Sequence, residues 1–226
     1  MTTAIILAAG KSERIGGKVD KSFLSLGSKP VLAYSLAAFD SCSEIDSIVL
    51  VVRREQQIAA KGVVQMFGCR KVSQIIAGGA TRIASVRNGL NACDPDTKIV
   101  CIHDAARPCV AQSLISEVVN MAKNNDCGVA ACQITDTLKL VKKNNIVSST
   151  IDRSKIWATQ TPQAFKFELL KKAYDAIRDN DETITDDASA VEALEVKVHL
   201  VQSTLPNIKI TFAEDIKIAA RLLGVN

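Results

Sequence analysis

Aromatic side chains are scarce in this chain of 226 residues: six Phe, two Tyr and one Trp make up 4% of it. No set of rings is left over for stacking single-stranded bases. Histidine is scarcer still, with only His103 and His199, and no Cys-x-x-Cys pair occurs. A zinc site of ordinary spacing is therefore excluded. No apolar run approaches the roughly eighteen residues of a membrane span. No basic tract gathers the modest net charge of +4, so neither membrane nor nucleic acid is an expected partner. Only Met1 to Thr3 precede the first apolar run. No basic leader or cleavage region is visible, and a cytoplasmic protein is expected, although a mature organellar form would read the same.

Cysteine, by contrast, is plentiful. Seven residues lie at 42, 69, 93, 101, 109, 127 and 132, mostly within apolar runs such as VCIHD and CGVAACQI. There they read as buried, reduced thiols acting as small hydrophobes. Hydrophobic content of 47% and charged content of 23% fit one globular domain spanning 1–226.

Short apolar runs alternate with amphipathic stretches. TAIILAA, DSIVLVV, KVSQIIA, KIVCIHD and CGVAACQI read as strands. PVLAYSLAAFD, REQQIAAKGVVQMF, TRIASVRNGLNAC and QSLISEVVNMAKNN read as the helices between them, the first with Pro30 in its opening turn. The strands are apolar on both parities, as strands covered on both faces are. Such a pattern predicts an α/β fold with a doubly wound, mostly parallel sheet. From about residue 134 to 160 the helical period disappears, and a polar turn at KKNN suggests a projecting β-arm. Helices over FKFELLKKAYDAIRD, DDASAVEAL and AEDIKIAARLL and a strand over KVHLVQ complete the pattern.

The first strand runs into LAAGKSERIGGKVDK, which fails two common tests for a phosphate loop. A P-loop needs Gly where Ile5 stands. A dinucleotide fingerprint needs Gly where Ser12 and Ile15 stand. What remains is a small-residue loop whose backbone can approach an anion, with Arg14 and Lys21 as full charges. A solvated surface loop is the plainer reading of this stretch alone.

Three other stretches carry chemistry. Asp104 of IHDAARP falls at the end of a strand, the edge where open α/β sheets bind ligands. It can hold Mg²⁺, hold a substrate hydroxyl, or simply cap a turn. His103 beside it reads better as a core or turn histidine than as a catalyst. Gly78 and Gly79 of GGATRIASVRNGL let backbone groups meet a flat ligand edge, with Ser85 able to bond a base, or they form an ordinary strand-to-helix turn. TIDRSKIWATQTPQAF carries Arg153 on the arm, TITDDAS offers Thr185 beside a helix start that Asp186 can cap, and NIKIT carries Lys209. Each of those three is ordinary surface chemistry in isolation, and Trp157 reads as packing.

Together and in order, LAAGKSERIGG, DKSFLSL, GGATRIASVRNGL, HDAARP, DTLK, TIDRSKIWATQTPQAF, TITDDASAVE and NIKIT closely resemble the 2-C-methyl-D-erythritol 4-phosphate cytidylyltransferases of non-mevalonate isoprenoid synthesis. The resemblance runs nearly end to end. It implies a Rossmann-like nucleotidyltransferase fold, CMP transfer from CTP to the sugar phosphate, and Mg²⁺ as cofactor. CTP would lie over Ala8, Ala9, Gly10, Lys11 and Ser12 and over Gly78, Gly79, Arg82 and Ser85. Arg14 and Lys21 match the residues that stabilise the transition state. Asp104, Arg107, Arg153, Thr185 and Lys209 match the sugar phosphate contacts, with Asp104 also the candidate metal ligand. It implies as well a homodimer formed through the arm, with Arg153 and Thr185 reaching into the partner's site.

The chain departs from the family in two places. Asp20-Lys21-Ser22 stands where the family usually has Pro-Lys-Gln, so Asp20 can pair with Lys21 or Arg14 and weaken a phosphate site. The late T-x-P-E-D pattern reads Thr211-Phe212-Ala213-Glu214-Asp215 and affects only a helix start. The nearest rivals are a ribitol 5-phosphate cytidylyltransferase and a non-catalytic nucleotide sensor on the same fold. The ribitol enzymes tend to read HDSVRP and TLTDA where this chain has HDAARP and TITDDAS. Intact Arg14, Lys21 and Asp104 argue against the sensor.

Overall fold

A computed structural model of the chain describes residues 1–10, 20–181, 183–203 and 207–225. Seven strands form its central sheet: β1 (Thr2–Ala8), β4 (Ser47–Val52), β5 (Val72–Ala77), β6 (Ile99–Asp104), β7 (Cys127–Gln133), β10 (Trp157–Lys166) and β11 (Leu200–Gln202). Their order across the sheet is β11-β7-β10-β6-β1-β4-β5. All pairings are parallel except those of β10, which runs antiparallel to both β6 and β7.

Alternate residues of each strand feed two cores, because successive side chains point to opposite faces. Ala4, Ile6 and Ala8 of β1 join Ile48, Leu50 and Val52 of β4 beneath α1 (Val31–Asp40), α2 (Gln57–Met66) and α4 (Gln112–Asn125). Ile5, Val49, Val51, Val100 and Ile102 face α3 (Arg82–Asn91), α5 (Phe167–Ala176) and α6 (Asp187–Glu192) on the other side. Ile5 and Ile6 are both fully buried, and each contributes about 2 kcal/mol by leaving water. A third, smaller core joins α7 (Glu214–Leu223) to the hairpin of β2 (Ser25–Leu26) and β3 (Lys29–Pro30) through Leu26, Val31, Ile210 and Ala219. The altered Thr211–Asp215 stretch still starts α7: the Asp215 carboxylate accepts the N–H groups of Thr211 and Phe212 at 2.7 and 2.8 Å.

The arm and the strand after it differ from the sequence expectation. The two-stranded ribbon of β8 (Leu138–Val141) and β9 (Val147–Ile151) is a separate sheet, shorter than the expected 134–160. From Trp157 the chain is already in the main sheet, as β10, and α5 begins at Phe167 instead of Phe165. Pro162 hides this strand in the sequence, because proline cannot donate to a ladder and normally marks an edge or a bulge. Here it falls inside the register shift between Thr159 and Gln163, where no ladder bond is needed. The seven cysteines are all unpaired, and Cys42, Cys69, Cys101 and Cys127 are buried.

Candidate active site

Chain order reverses between β1 and β6, since β4 and β5 lie on one side of β1 and the later strands on the other. The crevice at the carboxyl ends of strands flanking such a reversal is where open sheets take ligands. The register brings those ends level: Leu7 lies beside Asp104, Ala8 beside Val52, and Val52 beside Ala77. The loops that leave these strands therefore share one edge.

The loop after β5 is pressed against the one after β1. A Cβ on Gly78 would meet the Ala9 Cβ at 2.5 Å, and one on Gly79 would meet the Ala84 Cβ at 2.4 Å. Only glycine fits at either position. The Ser85 hydroxyl donates to the Thr81 carbonyl at 2.8 Å and accepts the Gly79 N–H at 3.1 Å. In this structure it is spent on shaping the turn. The Thr81 side chain in turn caps α3 by accepting the Ala84 N–H at 3.1 Å.

Asp104 ends β6 in a cluster of charge. Its Oδ2 accepts Lys209 Nζ at 2.5 Å, and Arg82 Nε lies 3.7 Å from Oδ1. Burial would push the Asp104 carboxyl up, but Arg82, Lys209 and Arg107 outweigh it and hold the group well below the usual carboxylate range. Arg82 is itself gripped from behind: Asp187 takes it bidentately at 3.0 and 2.6 Å. The Tyr174 hydroxyl donates to the same carboxylate at 2.5 Å. Asp187 is fully buried at the start of α6, whose N-terminus is closed by a capping box of Asp186 and Ser189.

The turn after Asp104 is pinned by backbone bonds. Ala105 N–H reaches Leu7 O at 2.9 Å, and Ile210 N–H reaches Ala106 O at 2.8 Å. Arg107 donates to the Asn207 carbonyl at 2.8 Å, and burial lowers its pKa from the ordinary arginine value. Lys209 and Ile210 thus lie against the Asp104–Arg107 turn, and Lys21 Nζ donates to Ile210 O at 3.0 Å from the other side. Lys21 opens a short 3₁₀ turn, Lys21–Phe23, whose cap is Asp20.

His103 is a structural residue. Fully buried, it is kept neutral, with its pKa pushed down to about 3 by burial. Its ring bridges the Thr161 hydroxyl at 3.2 Å and the Arg107 carbonyl at 3.3 Å. Thr161 also accepts the Asp104 N–H at 3.0 Å, so one hydroxyl sets both the histidine and the strand end.

The structure thus brings Ala9, Gly78, Gly79, Arg82, Asp104, Arg107, Lys209 and Lys21 to one edge. Gly10 lies two residues past the end of β1. Lys11, Ser12 and Arg14 lie outside the described residues. No described hydrogen bond joins Arg153 or Thr185 to this cluster: both are exposed, Arg153 donates to the Thr135 carbonyl at the foot of the ribbon, and the Thr185 N–H reaches Ser189 Oγ at 3.0 Å. Sequence reasoning misses Asp187, Thr161 and Asn207. Asp187 reads there as a second helix-starting acid beside Asp186, and only its burial against Arg82 separates the two.

A family profile described as IspD, 2-C-methyl-D-erythritol 4-phosphate cytidylyltransferase, matches residues 2–224. The chain belongs to this family. A relative of that name from Alkaliphilus oremlandii is 38% identical over 223 residues, covering 98% of this chain and 94% of its own length. One from Syntrophotalea carbinolica is 40% identical over 221 residues, covering 97% and 94%. The solved 4-diphosphocytidyl-2C-methyl-D-erythritol synthase from Anaerococcus prevotii superposes with a TM-score of 0.86 at 30% identity, covering 99% of this chain and 96% of that one. Family membership and the observed sheet agree on a nucleotidyltransferase fold of the α/β class.

Proposed function

We propose that the protein transfers CMP from CTP to 2-C-methyl-D-erythritol 4-phosphate, releasing pyrophosphate and 4-diphosphocytidyl-2-C-methyl-D-erythritol. The observation that carries this reading is the convergence, at the carboxyl edge of a nucleotidyltransferase sheet, of a glycine turn built for close approach and the Arg82, Arg107 and Lys209 cations around Asp104, with Lys21 held on the Ile210 carbonyl beside Lys209. A phosphate oxygen of the sugar attacks the α-phosphorus of CTP, and the bond to pyrophosphate breaks. The second pKa of a phosphate monoester is about 6, so the nucleophile is already ionised at neutral pH and needs no general base. That agrees with a site whose nearest histidine is buried and bonded on both ring nitrogens. The task left to the protein is to bring two polyanions together and to neutralise charge on the α-phosphate and leaving group. Lys21 and Arg14 serve there, and Lys209, Arg107 and Asp104 orient the sugar phosphate.

Magnesium fits as the counter-ion of the triphosphate. Among the described residues no group of three or more metal-binding side chains is assembled. Mg²⁺ is commonly held by one or two carboxylates plus substrate phosphates, and Asp104 is the carboxylate this edge offers. The ion would supply charge neutralisation on the phosphates.

The active form is a homodimer in the cytoplasm. The ribbon exposes Leu140, Val141, Ile146, Val147 and Ile151, an apolar surface suited to a second copy. Arg153 and Thr185 of one copy then serve the site of the other. Seven unpaired thiols suit a reducing compartment, and no described helix is long and apolar enough to cross a membrane.

The test is pyrophosphate release from CTP and Mg²⁺ with methylerythritol phosphate, run in parallel with ribitol 5-phosphate. Release with the first substrate alone is expected. Release with ribitol phosphate alone would move the substrate assignment, and release with neither from a folded sample would overturn the catalytic reading.

A further inference from the structure

Asp20 places a carboxylate one residue before Lys21, the lysine proposed to act on the triphosphate, and the side chain is almost wholly buried. Its two oxygens are both engaged. Oδ1 accepts the Ser22 N–H at 3.0 Å, which closes the Lys21–Phe23 turn. Oδ2 accepts Arg53 Nε at 3.2 Å. Arg53 follows directly on β4, at the same sheet edge as Asp104. The Asp20 carbonyl holds the turn a second time, accepting the Phe23 N–H at 2.9 Å. Asp20 thus ties Lys21 to the rigid end of a central strand through an ion pair.

Its backbone suggests what this pair replaces. Asp20 sits at φ −70° and ψ 119°, and proline is locked at about −65°. Among the described residues, none accepts a hydrogen bond from the Asp20 N–H. A proline ring would give the same backbone with no charge. An aspartate gives it only while its carboxylate is held, and only a compensated carboxylate avoids repelling phosphate beside Lys21.

We propose that Asp20 and Arg53 form a positioning clasp for Lys21: Arg53 neutralises and anchors the Asp20 carboxylate, Asp20 fixes the turn, and the turn aims the Lys21 ammonium at the phosphates. On this proposal Asp20 and Arg53 act through Lys21 and not on the substrate. The inference rests on Lys21 acting on the triphosphate, as argued for the proposed function.

The experiment compares wild type, Arg53→Met, Asp20→Pro and the double variant in steady-state pyrophosphate release, with Lys21→Ala as control. Displacing a catalytic group by less than an ångström is enough for the R53M variant to lose about tenfold in kcat, with KM for the sugar phosphate little changed; its melting temperature is expected to fall, because the buried Asp20 carboxylate loses its counter-charge, so kcat is read well below the unfolding transition. In the D20P background the R53M change is expected to be silent, because the turn no longer depends on the pair. Should D20P not fold, Asp20→Ala takes its place: it is expected to be as slow as R53M, and adding R53M to it to cost nothing more. Wild-type kcat in R53M overturns the clasp. So does an equal loss in both backgrounds, which would mean that Arg53 meets the substrate itself. Near-normal turnover in K21A would instead sink the role of Lys21, and is read separately from the coupling between positions 20 and 53.

Discussion

The proposed function gives both Asp104 and Arg153 to the sugar phosphate, yet their surroundings are opposite. Asp104 is clamped by Lys209, faces Arg82, and has its backbone N–H fixed by Thr161. Arg153 is exposed at the foot of the ribbon, its side chain making one described hydrogen bond, to a backbone carbonyl. The first region is preorganised by its own chain, so its charges need no rearrangement when substrate arrives. The second has still to lose side-chain freedom, at a cost of up to about 2 kcal/mol for an arginine. A second copy packed on the apolar ribbon would remove much of that freedom in advance. On the proposed reading, the chain preorganises the Asp104 side of the sugar phosphate contacts by itself and leaves the Arg153 side to assembly.

The contrast can be broken most forcefully from the clamped side. Asp187→Ala leaves Arg82 without its buried partner, and breaking such a pair costs about 3 kcal/mol or more. A large drop in melting temperature is expected, together with lost turnover; unchanged thermal stability would mean that Asp187 does not anchor the cluster. Lys21→Ala sharpens the distinction between anchoring and chemistry. It should lower kcat by about a hundredfold, close to 3 kcal/mol, with thermal unfolding unaltered. A near-normal kcat refutes the role.

On the exposed side, Arg153→Ala should raise KM for the sugar phosphate by about tenfold, the loss of one charge-assisted contact. An effect confined to CTP would move Arg153 to the other substrate. The last effect is confined to acid and concerns His103. Its folded pKa, about 3, lies below its unfolded value, which is about 6.5. The unfolded chain therefore binds the extra proton, and the stability from burying neutral His103 is complete above about pH 6.5 and falls by up to about 1.4 kcal/mol per pH unit as pH drops towards the folded value. Denaturant titrations of wild type and His103→Gln should diverge in slope across that acid window. Parallel curves would mean that His103 is not held neutral.

The sheet is largely legible in the sequence, because strands buried on both faces appear as apolar runs with helical stretches between them. β10 is not, since TQTPQ places proline and four polar residues in a central strand. Three of their side chains are internal connectors, Thr161 to His103 and the Asp104 N–H among them. Gln160 Oε1 accepts Ser203 Oγ at 2.6 Å and Asn207 Nδ2 at 2.9 Å, and Gln163 Nε2 reaches Asp186 at 2.9 Å. The site is half legible: Asp104 at a strand end and glycines after another are local signals. The Lys209–Asp104 and Arg82–Asp187 pairs each span 105 residues of sequence, and no spacing rule reaches that far. The sequence alone suggests that Asp20 weakens a phosphate site by pairing with Lys21 or Arg14. Among the described residues its side-chain partners are Arg53 and the Ser22 N–H, and Arg14 lies outside them.

β10 also sets the order in which a growing chain can finish its work. Until residues 157–166 leave the ribosome, β6 and β7 have no strand between them. The nascent protein then carries two incomplete sheet edges, each a template for pairing with a neighbour. The last cation of the site, Lys209, arrives later still. A prematurely terminated chain that stops in the ribbon would thus be inactive and prone to aggregate, even with β1, β4, β5 and β6 already synthesised.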